Sequence, residues 1–318
     1  MKAKTIIKLL KKWNDPFYLR DALIYKLIKI IYRKNNGFYV LNDKWDNLII
    51  LDACRYDSFK SFYLKRNIKG TLKSKISRGS HTITFLNENF KKDFYNDIVY
   101  ITANPHVDII LKDKFHAIIS VWKDGWDEKY HTVLPETMYE YTISTLFKYP
   151  DKRLIIHFMQ PHYPYIGYKL GKERLTRFRE KIIEKKNVKM MTKRKNKRLF
   201  SLYSLDFYGL ISKEDHFKIY NKNLERAISV VEKLINMLPG RTIITSDHGE
   251  SIGEFIHPLI PIRFYGHRVN LRLPILVKVP WLIIEPWEKE SKKQKELEEK
   301  KLIFNKIQNI KDFLKIQL

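Results

Sequence analysis

Four short stretches place chemically capable side chains at or beside the ends of apolar runs. Leu51-Asp52-Ala53-Cys54-Arg55 follows Asn47–Ile50, and Ser246-Asp247-His248-Gly249-Glu250 follows Thr242–Thr245. His157 and His162 bracket the end of Leu154–Met159, and Tyr265-Gly266-His267-Arg268 precedes a further apolar run. Carboxylate oxygens beside an imidazole nitrogen suit Zn²⁺, Mn²⁺ or a related divalent ion. Asp247-His248 carries most of that signal, because one strand end delivers both groups and Gly249 permits a tight turn. Asp52 taken alone reads first as a helix N-cap, and His157 reads equally as a buried structural ring. Pro161 and Pro164 stiffen the loop of His162, which suits a residue that must meet a substrate oxygen. His267 fits either a metal site or a substrate oxygen, and Arg268 supplies a fixed positive charge.

The elements that must present these groups are legible as apolar runs separated by helical patterns. The runs are Asn47–Leu51, Ile98–Thr102, Ala117–Trp122, Leu154–Met159, Thr242–Thr245 and Ile275–Val279. They lack polar–apolar alternation, which predicts strands buried on both faces of a largely parallel sheet. Helices are predicted around Glu136–Phe147 and Tyr220–Met237; in the second, Leu224, Ala227, Ile228, Val231 and Leu234 share one face before Pro239-Gly240 ends it. Strands alternating with helices predict an α/β fold, doubly wound, with a mostly parallel central sheet and helices on both faces. Ligands of such sheets bind at the carboxyl ends of the strands. The core domain is expected over residues 41–285, after a basic amphipathic helix and linker over 1–40 and before a charged helical tail over 286–318.

The chain has 318 residues with 61 Lys/Arg against 35 Asp/Glu, a formal charge of +26. Residues 1–35 contribute +8 and a basic insertion over 168–200 contributes +11, so only +7 belongs to everything else. The charge marks two basic arms, and no zinc-finger, RNP-type or helix-turn-helix pattern points to specific nucleic-acid binding. The helix carrying Leu23, Ile24, Leu27, Ile28 and Ile31 is expected to dock on its own domain or to lie on an anionic membrane surface. Cys54 is the only cysteine, which excludes a disulfide framework and a Cys-based zinc site. No apolar run reaches the ~20 residues of a membrane span, and no secretory signal is legible. The expectation is a cytoplasmic protein, with peripheral contact at the inner membrane face where the basic helix meets lipid.

Taken in order, Asp52, the Ser80-His81-Thr82 loop, His157-x-x-x-x-His162-x-Pro-Tyr165, Ser246-Asp247-His248-Gly249-Glu250 and Tyr265-Gly266-His267 resemble the alkaline phosphatase superfamily, in its sulfatase-like and phosphoglycerol-transferase-like branch. The resemblance spans Asp46 to about Val279. It implies a divalent metal (Mn, Zn, Mg or Ca) held by Asp52, Asp247, His248 and the nucleophilic hydroxyl, with His267 as a further ligand. It implies a nucleophile on the loop Ser77–Phe85, with Thr82 first and Ser80 second, and a His162 that holds substrate oxygen or protonates the leaving group. Arg55, His157, His267 and Arg268 are the expected substrate contacts, with Arg78 nearby. One ion is expected rather than two, because Gln160 stands where two-metal relatives place a carboxylate. The Cys-x-Pro-x-Arg context of sulfatases proper is absent, and Thr84 stands where a proline usually follows the nucleophile. The implied activity is hydrolysis or transfer of anionic phosphate or sulfate esters through a covalent Thr or Ser intermediate, on a glycan or lipid. The alternative is a catalytically inactive scaffold that binds polyanions or an anionic membrane through its basic arms.

Overall fold

Asn47-Leu48-Ile49-Ile50-Leu51 is apolar at four of five positions, and it forms a strand buried along its whole length. The structure, a computed structural model, describes residues 34–168 and 212–289, residues 23–32 apart from 25 and 29, and residues 179, 180 and 183. Most of the basic insertion and residues 290–318 of the tail therefore lie outside the described residues, as do residues 1–22. The strands are β1 (Asn47–Leu51), β2 (Thr71–Ile76), β3 (Tyr95–Thr102), β4 (Phe115–Ser120), β5 (Trp126–Asp127), β6 (Thr132–Val133), β7 (Arg153–Phe158), β8 (Thr242–Thr245), β9 (Ser251–His257), β10 (Ile260–Gly266) and β11 (Lys278–Ile284). Seven of them form one sheet in the order β2-β11-β8-β1-β7-β3-β4. Only β11 runs against the others, pairing antiparallel with both β8 and β2. β5–β6 and β9–β10 are separate antiparallel ribbons.

Alternate residues of β1 enter two apolar layers. Ile49 and Leu51 face one, with Phe59, Met138, Leu146 and Leu224; Leu48 and Ile50 face the other, with Phe85, Leu86, Phe90 and Val107. Helices cover both layers: α1 (Tyr56–Arg66), α2 (Thr82–Phe90), α3 (His106–Ile110), the single turn α4 (Val121–Asp124), α5 (Pro135–Lys148) and α6 (Lys213–Ile235). The mostly parallel, doubly wound sheet expected from the apolar runs is thus present. In its centre, Ile50 of β1 pairs with His157 of β7 and with Thr245 of β8. That register brings the exits of three strands to one edge, where Asp52, His157 and Asp247 lie.

Three elements have boundaries that differ from the sequence reading. The strand expected over Ala117–Trp122 ends at Ser120, because Val121–Asp124 turns into α4. The strand expected over Ile275–Val279 is a helical turn, α7 (Pro274–Val277), followed by β11 from Lys278 to Ile284. Pro274 opens that turn, where a proline costs no hydrogen bond. Pro280 reads as a strand breaker, yet it sits inside β11 with its carbonyl accepting from Thr245 Oγ1 at 2.8 Å. Helix α6 begins seven residues before its apolar stripe suggests, because Ser212 caps it: Ser212 Oγ accepts from the Asp215 amide at 3.0 Å.

Ile24, Ile28 and Tyr32 pack on a small core with Ile256, Phe264, Leu271, Leu273 and Leu276, so one side of the helix, with two of the five stripe residues, docks on the protein's own domain. Leu23, Leu27, Ile30 and Ile31 face outward. Among the described residues no helix is long and apolar enough to cross a membrane.

Candidate active site

Asp52 follows β1, and Asp247 and His248 follow β8; their ligand atoms lie within 4.8 Å of one another, and all three residues are buried. Asp247 Oδ1 accepts from the amides of Ala53 (3.1 Å) and His248 (2.8 Å), which leaves Oδ2 buried without a partner. Asp52 Oδ2 accepts from Asn104 Nδ2 at 2.6 Å, and its Oδ1 is likewise buried and unpaired. His248 Nδ1 lies 2.8 Å from the carbonyl of Gly249; donating there leaves the Nε2 lone pair facing the carboxylates, 3.6 Å from Asp52 Oδ1 and 3.4 Å from Asp247 Oδ2. Thr82, the first residue of α2, places Oγ1 3.3 Å from His248 Nε2. Unpaired carboxylate oxygens converging with an imidazole lone pair and a hydroxyl are a donor set that could hold a divalent cation.

The protonation pattern agrees. Burial, and then the charge of Asp247, push the Asp52 carboxyl well above the usual carboxylate range. Burial also acts against ionisation of Asp247, while positive charge on the rings of His248 and His157 would lower its pKa. His157 Nε2 stands 4.0 Å from an oxygen of each carboxylate, while its Nδ1 lies 2.9 Å from Tyr100 Oη.

The turn after β1 is clamped from three sides. Ala53 holds a left-handed φ of 59°. Ser246 Oγ accepts from the Cys54 amide at 2.8 Å and donates to the Leu51 carbonyl at 2.6 Å. Tyr220 of α6 donates its hydroxyl to the Ala53 carbonyl (2.8 Å) and accepts from the Arg55 amide (2.9 Å). Tyr220→Phe keeps the ring but strands a buried amide and carbonyl. The expected loss is about 1–3 kcal/mol, read from urea unfolding, together with weaker metal affinity by titration. A neutral result would mean that the turn holds Asp52 without this clamp.

A second cluster adjoins the first. His162, Glu250 and His267 offer ligand atoms within 4.8 Å of one another. His162 Nδ1 faces the Tyr163 carbonyl, so its Nε2 presents a lone pair, and burial lowers its pKa. That ring suits a cation or substrate contact better than donation of a proton to a leaving group. His267 Nδ1 is 2.9 Å from Glu250 Oε2, while Glu250 Oε1 is buried and unpaired. The His162 loop is anchored by its own amide, which donates to the Asp52 carbonyl, and by Asn223 Nδ2, which donates to the carbonyls of Pro161 and His162. Tyr165 Oη lies 2.8 Å from Nε2 of fully buried His216.

Burial lowers the His216 pKa from 6.5 to about 4. Between those values the unfolded chain takes up a proton that the folded chain refuses, so stability falls as pH drops from about 6.5 to about 4. The loss expected from this one ring is about 3 kcal/mol. His216→Gln should flatten that part of the acid-unfolding curve in chelator; an unchanged slope would remove His216 from the account.

The structure brings Asp52, Thr82, Asp247 and His248 to one point, and His162 and His267 to the neighbouring one. Ser80 Oγ instead donates to the Arg268 carbonyl at 3.0 Å, while Thr82 Oγ1 faces the first cluster. Arg55, expected at the substrate, is almost fully buried: Nε and Nη2 pair with Asp57, and Nη1 with Glu254. Its charge is met inside the protein. Arg78 likewise pairs with Glu88. Gln160, whose identity argued for one ion, donates to the Val133 carbonyl at 2.9 Å, and a carboxylate, that of Glu250, lies instead with His162 and His267. Burial pushes the Cys54 thiol well up, consistent with an unreactive packing residue. Gly249 is required by a close approach: a Cβ there would collide with the Ile275 carbonyl oxygen. The sequence reading missed Asn104, His106, Glu250 and Tyr220 as site residues. Thr102-x-Asn104-x-His106 after an apolar run was the available signal for the first two: His106 Nδ1 lies 2.9 Å from Asn104 Oδ1, and Asn104 in turn orients Asp52.

No protein-family profile and no characterised protein matches the sequence. Among solved structures, the soluble domain of lipooligosaccharide phosphoethanolamine transferase A from Neisseria meningitidis matches with TM-score 0.50 and 13% identity, over 76% of this chain and 76% of that one. The integral membrane protein lipooligosaccharide phosphoethanolamine transferase A of the same organism matches with TM-score 0.52 and 14% identity, over 88% of this chain and 56% of that one. This chain thus spans little more than half of the integral membrane protein. At such identity the likeness is one of fold, and the chain has an alkaline-phosphatase-like α/β fold.

Proposed function

We propose that the chain is a metal-dependent phosphotransferase or phosphohydrolase acting on phosphate esters through a covalent phosphothreonine at Thr82. The observation that carries this reading is the placement of Thr82 Oγ1 beside His248 Nε2, against two buried carboxylates whose free oxygens have no partner. Asp52, Asp247, His248 and Thr82 would hold one divalent cation, and His162, Glu250 and His267 a second. A bound cation supplies positive charge that lowers the pKa of a hydroxyl and neutralises phosphoryl oxygens.

In the first step Thr82 Oγ1 bonds to phosphorus and the ester P–O bond breaks. The threonine proton passes through solvent to the departing alkoxide. In the second step the oxygen of water or of an acceptor alcohol bonds to phosphorus, the P–Oγ1 bond breaks, and Thr82 regains a proton. Asn104 and the Ala53 and His248 amides hold the carboxylates still throughout, so no reorganisation is needed as charge develops.

Because the matched solved structures are phosphoethanolamine transferases, substituted phosphates are the first substrates to test. Purified protein would be incubated with p-nitrophenyl phosphate, bis-p-nitrophenyl phosphate and p-nitrophenyl sulfate, with Mn²⁺, Zn²⁺, Mg²⁺ or chelator. Metal-dependent release of nitrophenol, lost on Asp247→Ala, is expected. No turnover with any ion, alongside salt-sensitive binding to anionic vesicles, would favour the inactive scaffold instead.

A further inference from the structure

We propose that His81 holds a nonbridging phosphoryl oxygen of the substrate through its Nε2–H; the assignment rests on the phosphoryl-transfer reading above. His81 is the N-cap of α2 and directly precedes Thr82. Its side chain makes the cap: Nδ1 accepts from the Ile83 amide at 3.2 Å. A ring nitrogen that accepts carries no proton, so the one hydrogen of the neutral ring sits on Nε2, on the far side from the helix. The hydroxyl and carboxylate caps usual at this position offer only acceptor atoms to the helix. An imidazole cap also fixes a donor aimed away from it.

The ring stands among the site histidines. It stacks on His248 at 6.0 Å between centroids, meets His267 edge-on at 4.9 Å and His106 edge-on at 6.1 Å. It therefore borders both clusters, beside the hydroxyl that attacks. The same tautomer argues against His81 as another ligand: coordination through Nε2 would move the hydrogen to Nδ1 and point it at the Ile83 N–H. The site needs such a donor. Charge in phosphoryl transfer spreads over three equatorial oxygens, and the guanidinium of Arg55 is already engaged by Asp57 and Glu254. A neutral donor next to bound cations adds no like-charge repulsion.

The test separates cap from donor. His81→Asn keeps an acceptor for the Ile83 amide, but with its oxygen in the place of Nδ1 its NH₂ falls near the place of Cδ2 and short of Nε2, whereas His81→Ala removes both. With the metal-loaded protein, His81→Asn is expected to melt close to wild type, to lose 10²–10³-fold in kcat/KM, and to bind inorganic phosphate at least tenfold more weakly. In ¹⁵N-histidine-labelled wild type without metal, His81 should show the Nε2–H tautomer; with metal, its Nε2 resonance should move on adding phosphate. An Nδ1–H tautomer, a resonance unmoved by phosphate, or a fully active His81→Asn would overturn the assignment while leaving an active wild type, and so the parent reading, intact. A wild type without metal-dependent turnover or phosphate binding would overturn both. Should the variants unfold, the two wild-type spectra decide alone.

Discussion

Thr82→Ala is expected to lower kcat by at least ~10³-fold, and Thr82→Ser to retain part of the activity. Losses of this order follow from removing a nucleophile whose partners act as a unit with it. The alanine variant should still fold, because Thr82 Oγ1 makes its contact with His248 inside the site and not with the core. It should also still bind metal, since Asp52, Asp247 and His248 remain. Intact-mass analysis during turnover should show a phosphoryl adduct on wild type and none on Thr82→Ala. The geometry also sets the control. Ser80 Oγ donates to the Arg268 carbonyl, so Ser80→Ala should keep most of its activity. Thr82→Ala active with Ser80→Ala dead would move the nucleophile two residues upstream.

What the sequence makes visible here is what a strand end can carry alone. The apolar pentapeptide before Asp52 and the tetrapeptide before Ser246 each imply a buried parallel strand, so their next residues must emerge at one sheet edge. That logic brings Asp52 and Asp247 to the same sheet edge; their meeting at one point is implied by the resemblance, and the pairing of β1 with β8 provides it. The logic fails where a residue acts through a partner far along the chain. Tyr220 sits on the buried stripe of α6 like any core aromatic, and only the fold shows its hydroxyl reaching Ala53 and Arg55. Arg55 fails in the opposite direction. Its sequence neighbours suggest a substrate contact, but Asp57 and, 199 residues away, Glu254 share its charge. Glu250 was missed as Tyr220 was, because its meeting with His267 requires the β9–β10 hairpin to fold back.

Metal removal should expose the cost of building such a site, and Asp52→Asn should reverse it. Without a cation, two buried carboxylates face each other, and Asp52 resists ionisation because of burial and of Asp247. The asparagine in Asp52→Asn removes one of those charges. Its amide oxygen can still accept from Asn104, and its NH₂ can donate to the unpaired Oδ2 of Asp247. In chelator at neutral pH the variant should therefore melt above wild type. Saturating Zn²⁺ or Mn²⁺ should invert the order. Ligand at a thousandfold excess over its Kd stabilises by about 4 kcal/mol, which raises the wild-type Tm by several degrees. The variant should gain little, because an NH₂ group occupies the place of a carboxylate oxygen and affinity drops ~10²-fold or more. The crossing of the two melting curves is specific to a cation site: a merely structural carboxylate would leave Asp52→Asn less stable in both conditions. A wild type whose Tm ignores every divalent ion, with a variant no more stable than wild type in chelator, would mean that these oxygens converge for another reason.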